Sequence, residues 1–282
     1  MTPADLPSLR ESLEAHGLMA KKSFGQHFLL DLNITRKIVR LGGPFDGDAV
    51  IEVGPGPGGL TRALLETGAR KVFAVEKDSR FVELLGDLSE AYGERFEIID
   101  GDALKVDERQ LLAADKSSTL MLADARAHIV SNLPYNVGTP LLIKWLTGPW
   151  QPASMTLMFQ LEVALRIVAP AGDDDYGRLS VIAQVLCDCE KLMDLPARAF
   201  TPPPKVDSAV VKLTPKAVQP DKAVIKNLER ITAAAFGQRR KMLRSSLKSL
   251  GGEVLLEKAR IDPTMRAEQV GPQAFLVLAG LI

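Results

Sequence analysis

The sequence predicts an α/β fold, a sheet with helices on both faces, followed by a small all-helical domain. Three observations predict it. From Ala49 onward strand-like and helix-like segments alternate, the rhythm of parallel strands joined by crossover helices. The first of those strands runs into a glycine-rich turn, Gly54-Pro55-Gly56-Pro57-Gly58-Gly59, where a backbone closely approaches a ligand at the carboxyl edge of such a sheet. Beyond Pro220 the strand signals disappear, and helical patterning continues to Ile282.

The elements follow in order. Residues 1–45 read as an N-terminal helical segment. Apolar, β-branched runs place strands at 49–54, 71–78, 96–100, 127–132 and 155–160, with helices at 60–67, from Ser79, near Asp107 and at 138–146. Helices at 161–169 and 177–186 precede two last strands at 189–195 and 207–215. Between those strands lie Pro202, Pro203 and Pro204, which cannot sit inside a sheet and hold an extended, stiff loop. The stretch Thr214 to Pro220 marks a boundary, giving domains at 1–215 and 216–282.

With 282 residues, 46% hydrophobic and 25% charged, the chain is long enough to bury a sizeable core. Its apolar stretches are strand-sized, so no membrane crossing is expected, and no secretory signal pattern opens the chain. A cytoplasmic, monomeric protein is the expectation. The two cysteines, Cys187 and Cys189, lack the partners a zinc site needs and read as reduced, structural thiols. The net charge of zero gives no global attraction to nucleic acid, so any basic patch has to be local.

Gly54, Gly56 and Gly59 satisfy the G-x-G-x-x-G spacing of dinucleotide sites, with Glu76 at the end of the second strand as a ribose clamp. Three details point away from a dinucleotide. Pro55 and Pro57 offer no N–H groups to a pyrophosphate. Glu52 adds negative charge beside the turn, which suits a ligand carrying a cation. Asp102, after the third strand, is an acceptor for the amino group of an adenine whose ribose lies on Glu76. S-adenosylmethionine combines those features. Each acid alone would more often be plain surface and the glycines a plain tight turn; three successive strand ends favour the site.

Ser131-Asn132-Leu133-Pro134-Tyr135-Asn136 falls on the fourth strand end. An exocyclic adenine amine is a poor nucleophile, and acceptors arranged around it help: the Asn132 side-chain oxygen and the Leu133 carbonyl, which Pro134 biases toward an extended geometry. Tyr135 is placed to stack on the base. Taken singly, Asn132 reads as a cap for the following helix and Tyr135 as core.

These stretches, together with Lys22-Ser23-Phe24-Gly25-Gln26-His27-Phe28-Leu29-Leu30-Asp31, Glu52 to Thr61, Tyr176 to Val181 and Phe200 to Leu213, resemble the KsgA family, the small-subunit ribosomal RNA adenine dimethyltransferases. The resemblance runs from about residue 20 to the C-terminus. It implies a Rossmann-like class I methyltransferase sheet, with the donor held by His27, Leu29, Gly54, Gly56, Glu76, Asp102 and Asn132. The target adenine is expected between Tyr135 and Phe200, the triple-proline loop presenting Phe200 across the cleft. The implied reaction places two methyls on N6 of each of two adjacent adenosines in a hairpin near the 3′ end of 16S rRNA, within the immature small subunit. Leu161 departs from the family, whose members usually carry a basic residue there.

A basic run, Arg239, Arg240, Lys241, Arg244 and Lys248, opens the helical domain without an acid. On one helix Arg240, Arg244 and Lys248 would align as an RNA-binding stripe, with Leu243, Leu247 and Leu250 on an apolar one. Two rivals share the fold: a macrolide-resistance enzyme acting on 23S rRNA, and a non-catalytic RNA-binding or transcription factor.

Overall fold

The computed structural model describes residues 2–18, 27–115, 126–238 and 240–282. In chain order it contains α1 (Leu9–Ala15), α2 (Leu32–Gly42), β1 (Ala49–Val53), α3 (Gly59–Leu65), β2 (Lys71–Glu76), α4 (Ser79–Leu84), α5 (Gly86–Tyr92), β3 (Phe96–Asp100), α6 (Glu108–Ala113), β4 (Ala127–Asn132) and α7 (Gly138–Thr147). There follow β5 (Ser154–Gln160), α8 (Leu161–Val168), α9 (Arg178–Leu186), β6 (Cys187–Leu195), β7 (Ser208–Pro215), α10 (Lys222–Gly237), α11 (Leu243–Ser246), α12 (Gly252–Lys258) and α13 (Pro272–Gly280). None of the helices among the described residues is long and apolar enough to cross a membrane.

The strands form one sheet in the order β3-β2-β1-β4-β5-β7-β6. Neighbours from β3 through β5 run parallel. Every residue of β1 and β2 is buried, as expected of strands covered on both faces, where a continuous apolar run replaces alternation. Sheet order reverses direction beside β1, because the chain goes outward to β2 and β3 and then returns to β4. Parallel pairing brings the carboxyl ends of β1 to β4 to one edge, and that switch point is where open α/β sheets take ligands. Several helices start on side-chain caps: Asp31 accepts from the Asn33 N–H at 2.8 Å, Asp78 from Arg80 at 3.1 Å and Asp107 from Arg109 at 3.0 Å.

At the amino end of β4, away from that edge, His128 is buried between two partners. Its Nδ1 lies 2.7 Å from Ser154 Oγ and its Nε2 2.9 Å from Asp48 Oδ2. Burial holds its pKa below the ordinary histidine value despite the carboxylate.

The chain divides into two compact units: Met1–Trp145, Trp150–Leu161 and Leu192–Lys212 in one, and Leu146–Pro149, Glu162–Lys191 and Leu213–Ile282 in the other. The sequence reading put 162–191 with the sheet, ahead of a boundary at 215. Tyr176 accounts for the difference: its side chain is fully buried, its hydroxyl donates to Val270 O at 2.8 Å, and its ring meets Phe236, which meets Phe275. Burying a tyrosine with its hydroxyl satisfied ties α9 to the C-terminal helices. Cys187 and Cys189 are free thiols in this unit.

The helical unit departs from expectation at 238–250. No single helix spans the basic run: α10 stops at Gly237, α11 covers Leu243–Ser246, and a 3₁₀ turn covers Lys248–Leu250. Arg240, Arg244 and Lys248 are all exposed, while Leu243 and Leu247 are buried and Leu250 is half-buried. The inward leucines therefore survive, but the i, i+4, i+8 alignment does not. Arg239 lies outside the described residues.

Candidate active site

The glycine turn leaves β1 with Gly54, Gly56 and Gly58 at positive φ. Gly56 and Gly59 are required by close approach. A Cβ on Gly56 would meet the Phe28 ring at 3.2 Å, and one on Gly59 would meet Leu29 O at 2.5 Å. Segment 27–29 thus lies directly on the turn, and the two enclose a cavity of about 260 Å³. Among its lining residues are His27, Leu29, Gly54, Gly56, Glu76, Asn132, Leu133 and Tyr135.

Three of the turn's N–H groups are already engaged. Gly54 donates to Val75 O, Gly58 to Pro55 O, and Gly56 to Glu76 Oε2 at 3.3 Å. With Pro55 and Pro57 contributing none, the turn has little to offer a pyrophosphate. Glu76 Oε1 accepts from Lys77 and Asp78 at 2.8 and 2.9 Å, which together with the Gly56 bond fixes the carboxylate on the cavity lining and still leaves it acceptor capacity for a diol. Burial raises the Glu76 pKa, opposed by those N–H donors.

Glu52 corrects the sequence reading. It is only 1% exposed, receives a hydrogen bond from Thr61 Oγ1 at 2.6 Å, and burial pushes its carboxyl up to about 8, with nearby Glu76 adding to the shift. At neutral pH it is mostly protonated, so it does not supply the standing negative charge expected of it. A neutral, hydrogen-bonded acid is the form that low dielectric favours.

At the end of β4, Asn132 Nδ2 donates to His27 O at 3.3 Å. That bond orients the amide, whose Oδ1 is the group able to accept from a ligand amine. α7 begins only at Gly138, so Asn132 is not its cap. Tyr135 is half-buried on the cavity, its ring 5.9 Å from that of His27 and tilted by 30°, and does not fill core. Its hydroxyl lies 2.9 Å from Ser208 Oγ, and burial raises its pKa. His27 Nδ1 lies 2.7 Å from Pro202 O, and Phe28 and Thr201 exchange both backbone hydrogen bonds.

A family model described as ribosomal RNA adenine dimethylase matches residues 17–282. The chain belongs to that family. Relatives named ribosomal RNA small subunit methyltransferase A include one from Phenylobacterium zucineum, 64% identical over 99% of this chain and 94% of the relative. Another, from Caulobacter vibrioides, is 65% identical over 93% and 96%. Among solved structures, a dimethyladenosine transferase from Plasmodium falciparum matches with a TM-score of 0.72 at 26% identity, covering 89% of this chain and 96% of its own. The 23S rRNA methyltransferase ErmE matches at 0.65 and 26%, covering 90% and 98%. The fold is therefore the Rossmann-like class I methyltransferase one.

Within that family fold, the expected residues fall into three groups. His27, Leu29, Gly54, Gly56, Glu76, Asn132, Leu133 and Tyr135 share the cavity; Gly25 and Gln26 of the same motif lie outside the described residues. Asp102 is not on the cavity lining: its carboxylate pairs with Lys77 Nζ at 3.0 Å and accepts from Leu104 N–H, and Lys77 holds its pKa below the ordinary value. Phe200 is 3% exposed and packs into the hydrophobic core with Leu195 and Val210, so the triple-proline loop does not present its ring across the cleft. The loop instead docks on 27–29 through Thr201 and Pro202. Sequence reasoning missed Phe28 and Phe81, whose rings meet edge-on at 5.4 Å in the cavity wall, and Ser208. The one sequence signal for Phe28 is its place between His27 and Leu29; Ser208 carries no local signal.

Proposed function

We propose that the protein transfers methyl groups from S-adenosylmethionine to N6 of adenosine in small-subunit ribosomal RNA, dimethylating two adjacent adenosines in a hairpin near the 3′ end of 16S rRNA. Asn132 carries this reading. It stands at the strand end beside the glycine turn, its amide oriented by the bond to His27 O and its oxygen able to accept. When bound, S-adenosylmethionine supplies an electrophilic methyl group.

The residues present suit that donor. Glu76 would take the ribose hydroxyls, and two prolines with three engaged N–H groups leave the turn few donors for a diphosphate in the same place. Asn132 Oδ1 and the Leu133 carbonyl would accept from the target amine, holding its hydrogens so that the nitrogen lone pair points at the donor. Tyr135 would stack on the base, which has to be unstacked from RNA to reach the cavity. A strong base is not required, because the amine's proton becomes acidic once the nitrogen carries the new methyl. Catalysis is then mostly positioning. The exposed Arg240, Arg244 and Lys248 would dock phosphates of the immature small subunit. The protein would act as a monomer in subunit maturation.

The large-subunit alternative shares the fold, but the relatives above 60% identity carry the small-subunit name while the 23S enzyme stands at 26%. Asn132→Ala tests the site. Single-turnover transfer at saturating donor should fall by two orders of magnitude or thereabouts, the order of effect expected when a reacting group is misplaced, with RNA affinity little changed. Near-parental transfer would remove Asn132 from the chemistry.

A further inference from the structure

We infer that Ser208 is a positioning residue for methyl transfer, fixing the Tyr135 ring through the bond between their hydroxyls. The inference rests on the target-base reading of Tyr135 given above and goes beyond it.

Ser208 opens β7 and is fully buried. The residue before it, Asp207, is held twice: its carbonyl accepts from Leu161 N–H at 2.9 Å and its Oδ1 from Ala197 N–H at 2.8 Å. The serine hydroxyl is therefore a fixed point, carried by a sheet strand and pinned at the loop that precedes it. Tyr135, by contrast, sits on a turn, where Pro134 O accepts from Val137 and Gly138. A half-buried ring on a turn has rotamer freedom that a stacking partner must lose. The 2.9 Å bond to Ser208 ties the far end of the ring, and His27 flanks it at 5.9 Å.

His27 is itself held by Pro202 O. Both rings at this end of the cavity thus hang from the 200–208 segment. That gives the segment a role that a buried Phe200 cannot have: it sets the plane on which a flipped base would lie. A ring free to rotate about its Cβ would offer the base several planes, and only some of them bring the amine to Asn132 Oδ1.

The test is a double-mutant cycle between Ser208→Ala and Tyr135→Phe, read as single-turnover methyl transfer to immature small subunits, with donor affinity measured by calorimetry. Ser208→Ala should slow transfer roughly five- to tenfold, the range for losing one hydroxyl hydrogen bond, with donor affinity unchanged. Tyr135→Phe deletes the same bond from the other side and should match it, and the double variant should be no slower than either. An equal slowing by Ser208→Ala in the parental and Tyr135→Phe backgrounds would overturn the proposal, since the serine would then act through packing. So would unaltered transfer in Ser208→Ala. Should Ser208→Ala fail to fold, Tyr135→Phe alone decides: parental transfer overturns the proposal. Failure of the underlying reading looks different. Tyr135→Ala, which removes the whole ring, would then transfer at the parental rate, and the positioning role would fall with it.

Discussion

Replacing Glu52 with Gln should make the protein more stable at neutral pH and remove a large part of its pH dependence. The carboxyl is buried, accepts from Thr61 Oγ1, and is pushed up to about 8. Its folded pKa is thus raised above the unfolded one. The favourable protonated contribution is complete below the ordinary carboxylate range and is lost as pH rises toward 8, because the unfolded chain releases its proton first. One proton of difference corresponds to about 1.36 kcal/mol per pH unit, so between pH 5.5 and 7.5 the parent should lose roughly 3 kcal/mol from this group. Gln keeps an acceptor for Thr61 and cannot ionise. Urea unfolding of parent and variant, without donor, measures the difference at each pH. The two curves should diverge by about that amount over the two units, with the variant more stable at the upper end. Curves that stay parallel would mean that Glu52 is ionised in the folded chain and that the burial argument is wrong.

The other expectations are simpler. Glu76→Ala removes the carboxylate that fixes the turn and faces the cavity, and should weaken S-adenosylmethionine binding by about 1.5–3 kcal/mol in calorimetry, as for a charge-assisted hydrogen bond; unchanged affinity would displace Glu76 from the donor site. His128 is depressed by burial, so the unfolded chain binds the extra proton. Its contribution is present above the ordinary histidine value and lost as pH falls below it, and His128→Gln should flatten the acid side of the stability profile below about pH 6.5. Gln at Arg240, Arg244 and Lys248 together should lower affinity for immature small subunits and make the log–log salt dependence shallower by somewhat under one unit per lost phosphate contact; weaker binding at an unchanged slope would exclude phosphate docking. Tyr176→Phe, losing the bond to Val270 O, should destabilise the helical unit by roughly 1 kcal/mol in thermal unfolding.

The parts of the molecule written in local pattern were legible. β1 and β2 are continuous buried runs, the turn after β1 is marked by its glycines, and Glu76 and Asn132 lie on strand ends that parallel pairing must bring together. What failed depended on long-range partners. The basic run reads as helix by spacing, yet Met242 pairs with Arg266 as a β-bridge, Leu243 N–H bonds Met265 O and Arg244 N–H bonds Pro263 O. Those bonds take the backbone groups that a continuous helix would need. Phe200 follows the same logic: an apolar ring beside a stiff loop finds a hydrophobic core most of whose members, Ile38, Val72 and Met158 among them, lie far away in sequence. Glu52 was misjudged because a carboxylate's charge depends on burial, which composition does not reveal. Asp102 is paired with the ammonium of Lys77 and is not on the cavity lining, a pairing that its place after the third strand did not reveal.

Nucleoside analysis of 16S and 23S rRNA tests the central claim most directly. Unmethylated small and large subunits would be incubated with the protein and S-adenosylmethionine, digested and mapped by mass spectrometry, with Asn132→Ala as the control. N6,N6-dimethyladenosine is expected at two adjacent positions near the 3′ end of 16S rRNA, absent from the control and from 23S rRNA. Methylation confined to 23S rRNA, or dimethyladenosine formed equally well by the Asn132→Ala protein, would contradict it.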